Sequence, residues 1–236
     1  MNEVITLRDI SNEAFFLKYA APGRVGLTGG ATLVDRAIRR AERHVCDGKW
    51  SSWSHAFIFG EKRSDGHIWV IESDLQAARK HVRLGVQENR LSKYFDEDNY
   101  GMAAILDFGL SPKKTTALIT EGLEMVSNAT RYSVRELFGT LLALRAHKLR
   151  SEENRLSRDK SFYCSALVQH LFSSIALDLT PGVHAKYTTP EDIFQTAIPH
   201  TRYVLHRDLG ESKIKEAAQR VQAKIKSGLR HPPAGK

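Results

Sequence analysis

The apolar positions of this chain fall into two regimes. Between residues 55 and 107 they come in short runs, alternating or unbroken: "SHAFIFG", "IWVIES" and "MAAILDFG". Such runs predict strands, and the first two are joined by "EKRSDGH", whose Ser-Asp-Gly supplies a hairpin turn. After Ser111 the apolar residues recur every three or four positions. "SPKKTTALITEGLEMVSNAT" predicts a helix with a serine cap and proline in its first turn. "SVRELFGTLLALRAHKL" predicts a second helix, and "SFYCSALVQHLF" a third, headed by Cys164. Leu33, Ala37, Ala41 and Val45 mark an earlier helix with a basic face. Residues 1 to 23 read as a short helix or strand ending in a turn at Pro22-Gly23. "GLTGG" reads as a flexible turn; it lacks the Lys-Ser/Thr that would make it a phosphate loop. "RSEENRLSRDK" is a charged loop, "TTPEDIF" a capped helix start and "TRYVLHR" a closing strand. Strands, then helices, then a last strand make an α+β chain with one main domain.

The composition narrows the setting. With 236 residues, 42% of them hydrophobic, the chain supports one sizeable core. We place that domain at residues 1 to 208 and read 209 to 236 as a basic C-terminal helix with a disordered tip. No apolar run reaches the roughly 18 residues of a membrane span. The first residues lack a basic segment followed by an apolar one, so synthesis in the cytoplasm without a signal peptide is expected. Two cysteines, Cys46 and Cys164, allow at most one disulfide, and a reducing compartment is the simpler expectation. The net charge of +8 favours anionic partners such as a membrane surface or a cell-wall polymer. Nucleic acid is not expected, because aromatics are not interleaved with the basic residues and no zinc-finger spacing occurs.

Three residues carry candidate chemistry. His55 opens the first hairpin strand, and pairing that strand around Arg63 and Ser64 brings it opposite Glu72 or nearly so. An imidazole beside a carboxylate has its tautomer fixed and its protonated form stabilised. Cys164 heads an apolar helix, where the helix dipole and a nearby imidazolium favour a thiolate. Asp159 and Ser161 are candidate caps for that helix. Singly, a core histidine and a buried cysteine are the plainer readings; together with Glu72 they make a Cys–His–Glu triad the better account. His44 and Cys46 find no second ligand pair, so no metal is expected, and no cofactor either.

In order and surroundings, "WSHAFIFG", "WVIESDLQAARKHV", "YCSALVQHLF" and "TTPEDI" resemble the permuted branch of the NlpC-type papain-like cysteine hydrolases. This is the YiiX-like amidase and peptidase branch, related to lecithin:retinol acyltransferase-like proteins. "PGRVGL" and "RYSVRELF" add to the resemblance, which spans roughly residues 20 to 195. It implies a permuted papain-like fold, an antiparallel sheet or small barrel packed against helices. It implies Cys164 as nucleophile, His55 as general base and Glu72 as orienting acid, working through a thioacyl intermediate. Candidate oxyanion donors are the Cys164 backbone N–H, Tyr163 and Ser165; Trp53 and Ser54, just before His55, are candidates for the substrate side. The chain departs from the family in having Arg24 after Pro22-Gly23, and Ser133 after Tyr132, where relatives often have aspartate. Both departures bear on substrate rather than on the triad.

The expected function is therefore amide hydrolysis, with a cell-wall peptide as substrate. A peptidoglycan endopeptidase or amidase without a signal peptide would fit an antibacterial effector exported by a signal-independent system, with an immunity protein as partner. The alternatives are a lipid acyl hydrolase or acyltransferase acting on a lipid amide, held to anionic membranes by the basic C-terminal helix, and a catalytically silent binding module of the same fold.

Overall fold

The structure is a computed structural model that describes residues 2–44, 46–75, 84–128 and 164–206. The helix expected at 133–149, the charged loop at 150–160, Asp159, Ser161, Tyr163 and the C-terminal segment from 207 lie outside these residues. Seven strands are β1 (Glu3–Leu7), β2 (Val25–Gly30), β3 (His55–Lys62), β4 (Ile68–Leu75), β5 (Leu84–Arg90), β6 (Tyr100–Asp107) and β7 (Thr201–Leu205). The helices are α1 (Asn12–Tyr19), α2 (Leu33–Ala41), α3 (Pro112–Ser127), α4 (Cys164–Ser174) and the short α5 (Pro190–Phe194).

The strands form one sheet in the order β1-β7-β6-β2-β3-β4-β5, with β1 and β5 at its two ends. Every pairing is antiparallel except β1 with β7, which is parallel. The architecture is thus α+β, a seven-stranded sheet packed against helices. The β3–β4 hairpin turns where the sequence places it: Arg63 N–H donates to His67 O at 3.0 Å, and Gly66 takes a φ of +79° that glycine adopts without strain. Helix starts also follow their chemistry. Ser111 caps α3 by accepting from Lys114 N–H, and Thr189 and Asp192 form a reciprocal capping box on α5.

Period-two alternation along β3 splits the core in two. Ala56 and Ile58 face the layer built by α3 and α4, with Leu167, Val168 and Leu171. Phe57 and Phe59 face the other way, onto Phe15 and Phe16 of α1 and onto Leu91 and Tyr94 of the 3-10 turn after β5. Burying an aromatic of this size is worth several kcal/mol, so each face is an anchor.

One expectation is overturned. "GLTGG" is not a flexible turn but the body of β2, buried at every position in the middle of the sheet. The glycines are there for close approach: a Cβ on Gly26 would lie 2.2 Å from the Phe57 ring, and one on Gly30 2.2 Å from the Asp35 carboxylate. Of the two readings left open for the first residues, Glu3–Leu7 takes the strand, β1; β5 was not foreseen as a strand, because "LGVQENR" ends in polar residues that mask its pleat.

Candidate active site

His55 is the first residue of β3, and Glu72 sits within β4. The register pairs Ile58 with Ile71 and Phe59 with Val70, which sets Glu72 across from Phe57, two residues in from His55. The contact is therefore diagonal rather than directly opposed, within reach of these longer side chains. His55 Nε2 lies 2.6 Å from Glu72 Oε2. Cys164 is the first residue of α4, which packs on β3 and β4. Its thiol is hydrogen-bonded to His55. With Nε2 committed to Glu72, Nδ1 is the ring nitrogen left to pair with the thiol.

Glu72 is fully buried, and a bare carboxylate there would be heavily penalised. Four donors surround it. Lys93 Nζ (2.7 Å) and Asn89 Nδ2 (2.6 Å) donate to Oε1, while His55 and the Tyr94 hydroxyl share Oε2. Lys93 also reaches Asp74 Oδ2 at 2.6 Å, so one ammonium joins two carboxylates. Burial works to raise the Glu72 pKa, but the Lys93 charge and the His55 contact hold the carboxyl well below its usual range. Burial likewise works to lower Lys93, and Glu72 with Asp74 hold it above its ordinary value. Burial raises Tyr94 well above its normal range, so the phenol stays protonated and able to donate.

His55 itself is nearly enclosed. Burial lowers its pKa, but Cys164, by charge and hydrogen bond, and then Glu72 push it up to about 10. Its ring lies 6.0 Å from that of Tyr94, which stacks on Phe57 at 4.4 Å. The imidazole is thus fixed in position, with one nitrogen on a carboxylate and the other on a thiol. That arrangement draws a proton from sulfur and stabilises the imidazolium that results.

A second buried carboxyl lies nearby. Glu42, in the 3-10 turn after α2, is 1% exposed. Burial raises its pKa well above normal, Ser51 opposes this, and the negative charges of Glu191, Asp192 and Cys164 add to the rise. Ser51 Oγ donates to Glu191 Oε2 at 2.6 Å. Cys46, beside this group, is pushed up to about 12 by burial and by Glu191.

The other sequence candidates are structural where described. Trp53 is 2% exposed and packs on Phe194, inside the core rather than on a cleft. Ser54 Oγ accepts from Gly30 N–H at 2.9 Å and so ties β2 to the start of β3. Ser165 is buried, and its hydroxyl donates to Thr188 O at 2.7 Å, which commits its only proton to holding α4 against the segment before α5. That leaves the Cys164 backbone N–H as the oxyanion candidate within the described residues. Asn89, Lys93 and Tyr94 were missed. Their type carries no motif, and only the pairing of β4 with β5 brings them to Glu72.

No protein-family model matches the chain, and no curated protein matches it. Among solved structures it is similar to the metalloprotein YiiX of Escherichia coli O157:H7, at 14% identity and a TM-score of 0.51, covering 78% of this chain and 96% of that one. The chain therefore shares a YiiX-like fold.

Proposed function

We propose that this protein is a permuted papain-like thiol hydrolase that cleaves an amide bond with Cys164, His55 and Glu72. The observation that carries the reading is the unbroken chain from Cys164 through His55 to the buried Glu72 carboxylate, with 2.6 Å between His55 and Glu72. In the reaction, Cys164 sulfur forms a bond to the carbonyl carbon while its proton resides on His55 Nδ1. The carbonyl electrons move onto oxygen, facing the N–H groups at the start of α4. Collapse breaks the C–N bond, and His55 gives its proton to the departing amine. Water then adds to the thioester, its proton passing to His55, and the C–S bond breaks to release the acid.

The name of the YiiX neighbour raises the question of a metal. Here the donor set does not fit one. Both Glu72 oxygens are engaged by Lys93, Asn89, Tyr94 and His55, and no three His, Cys, Asp or Glu side chains converge to hold an ion among the described residues. No step is routed through a metal.

For the substrate we propose a cell-wall peptide, supported by the family resemblance and by the +8 charge, which suits an anionic polymer. Export as an effector, and an immunity protein that blocks Cys164, follow from that substrate. The test pairs two substrates, purified peptidoglycan and vesicles carrying an N-acyl lipid amide. New muropeptides with the parent chain and none with Cys164→Ala are expected. Turnover of the lipid amide alone would transfer the same chemistry to the lipid acyl hydrolase reading. No turnover of either, together with no acyl adduct on Cys164 by intact mass after exposure to a p-nitrophenyl ester, would leave the silent binding module as the answer.

A further inference from the structure

We propose that Lys93 is a positioning residue of this site: held between Glu72 and Asp74, it keeps Glu72 a pure hydrogen-bond acceptor and thereby dictates which tautomer of His55 faces Cys164. The inference rests on the functional reading above and adds a fourth member to it. Lys93 does not touch the thiol. It works through Glu72.

Consider a buried carboxyl alone. Removed from water without a cation, it takes up a proton rather than bear an unpaired charge. A protonated Glu72 would carry an O–H aimed at His55, 2.6 Å away. A neutral His55 would then have to accept at Nε2, which puts its own proton on Nδ1, toward Cys164. In that tautomer the nitrogen facing sulfur is a donor and cannot take the thiol proton. With Glu72 ionised the logic reverses: Nε2–H donates to the carboxylate and Nδ1 keeps its lone pair for the thiol. The histidine is useful as a base only while Glu72 is charged.

Lys93 is placed to hold that charge. Its ammonium lies 2.7 Å from Glu72 and 2.6 Å from Asp74, and its side chain is only 16% exposed. Its backbone is fixed by neighbours on both sides, since Leu91 and Tyr94 of the same 3-10 turn are buried in the core. The other groups facing this point are Asn89, neutral at any pH, and Tyr94 and Tyr100. Both phenols are held protonated by burial, Tyr100 up to about 12. His55 and Cys164 complete the surroundings. Of the groups that touch Glu72, Lys93 is therefore the one that brings a permanent positive charge. Asp74 serves as its second anchor, so that the ammonium stays seated when His55 changes protonation.

The experiment reads His55 and Cys164 directly and needs no substrate. Imidazole ¹⁵N shifts report the tautomer of His55, and the pH profile of Cys164 carbamidomethylation by iodoacetamide, followed by mass of the Cys164 peptide, reports thiol activation. Lys93→Arg is expected to keep both. Lys93→Met is expected to move the acid limb of the alkylation profile up by about one pH unit or more and to transfer the neutral-state proton of His55 from Nε2 to Nδ1. In a Glu72→Gln background, Lys93→Met should change neither readout further. An unmoved limb and unmoved tautomer in Lys93→Met, or an equal effect with and without Glu72, would overturn the proposal. Should Lys93→Met not fold, the unaltered chain still decides: the Glu72 carboxyl carbon must keep its carboxylate shift throughout the neutral range, and a Glu72 that protonates near pH 7 overturns it. These readouts are separate from turnover, so loss of the hydrolase reading and loss of the Lys93 inference are different results.

Discussion

Glu72 and Glu42 are two buried glutamates whose carboxyls are pushed in opposite directions. Glu72 has Lys93, Asn89, Tyr94 and His55 around it and stays ionised, although burial alone would protonate it. Burial pushes Glu42 well above its ordinary value, Glu191, Asp192 and Cys164 add to the rise, and only Ser51 works toward its charged form. Burial is common to both, so burial does not decide the outcome. What decides it is a cation within hydrogen-bond distance. The cation beside Glu72 suits it to the proposed role of orienting acid, and Glu42 has no such cation to offset its burial.

That contrast can be broken most sharply at Glu72. Glu72→Gln should lower turnover by about 10³–10⁴-fold, the scale of a triad whose histidine loses its orienting carboxylate. It also leaves Lys93 with Asp74 as its one carboxylate, so a stability loss of about 3 kcal/mol is expected in urea unfolding. Glu42→Gln is the mirror case. It replaces the carboxyl by an amide of the same shape, and activity should stay within about twofold.

The two residues should also respond to pH with opposite sign. The depressed carboxyl of Glu72 contributes stability that is fully present above the ordinary glutamate value of about 4.3 and is lost as pH falls through its lower folded value. The raised carboxyl of Glu42 contributes stability that is present below that ordinary value and fades as pH climbs toward its folded one. Unfolding of the parent and Glu42→Gln at pH 5 and pH 8 should therefore diverge, the variant gaining about 1 kcal/mol or more at the higher pH. A gap that closes with rising pH would contradict the upward shift of the Glu42 carboxyl. The smallest effect belongs to Glu191→Gln. Removing its charge should pull Glu42 part of the way down, while a weakened Ser51 hydrogen bond costs about 1 kcal/mol.

The three residues of the proposed triad were legible in the sequence because each sits inside a strong local signal. His55 and Glu72 lie in apolar strand runs joined by a short turn, and Cys164 begins an apolar helix. The groups that make Glu72 work were not legible. Asn89 and Lys93 are ordinary surface residue types, and only the β4–β5 ladder and the turn after it deliver them to a buried carboxylate. Glu42 was hidden for the same reason: nothing in "RRAERH" distinguishes a buried acid from a solvated one. The misreading of β2 has a different origin. Glycine signals freedom when its neighbours are unknown, and here its missing side chain is the space that the Phe57 ring occupies. Ser165 and Ser54 show the converse, hydroxyls beside the site whose bonding is spent on holding elements together.

The parallel pairing of β1 with β7 bears on the order in which this molecule can come into being. The hairpin that carries His55 and Glu72 is local and can close as soon as it leaves the ribosome. β1 must wait for β7, and His200 N–H meets Asn2 Oδ1 across a separation of 198 residues. At common elongation rates that wait is roughly 10–40 s. Cys164 and its helix emerge between these two events. Cys164 is thus delivered after the strands that carry His55 and Glu72, and the strand that completes the sheet joins after it.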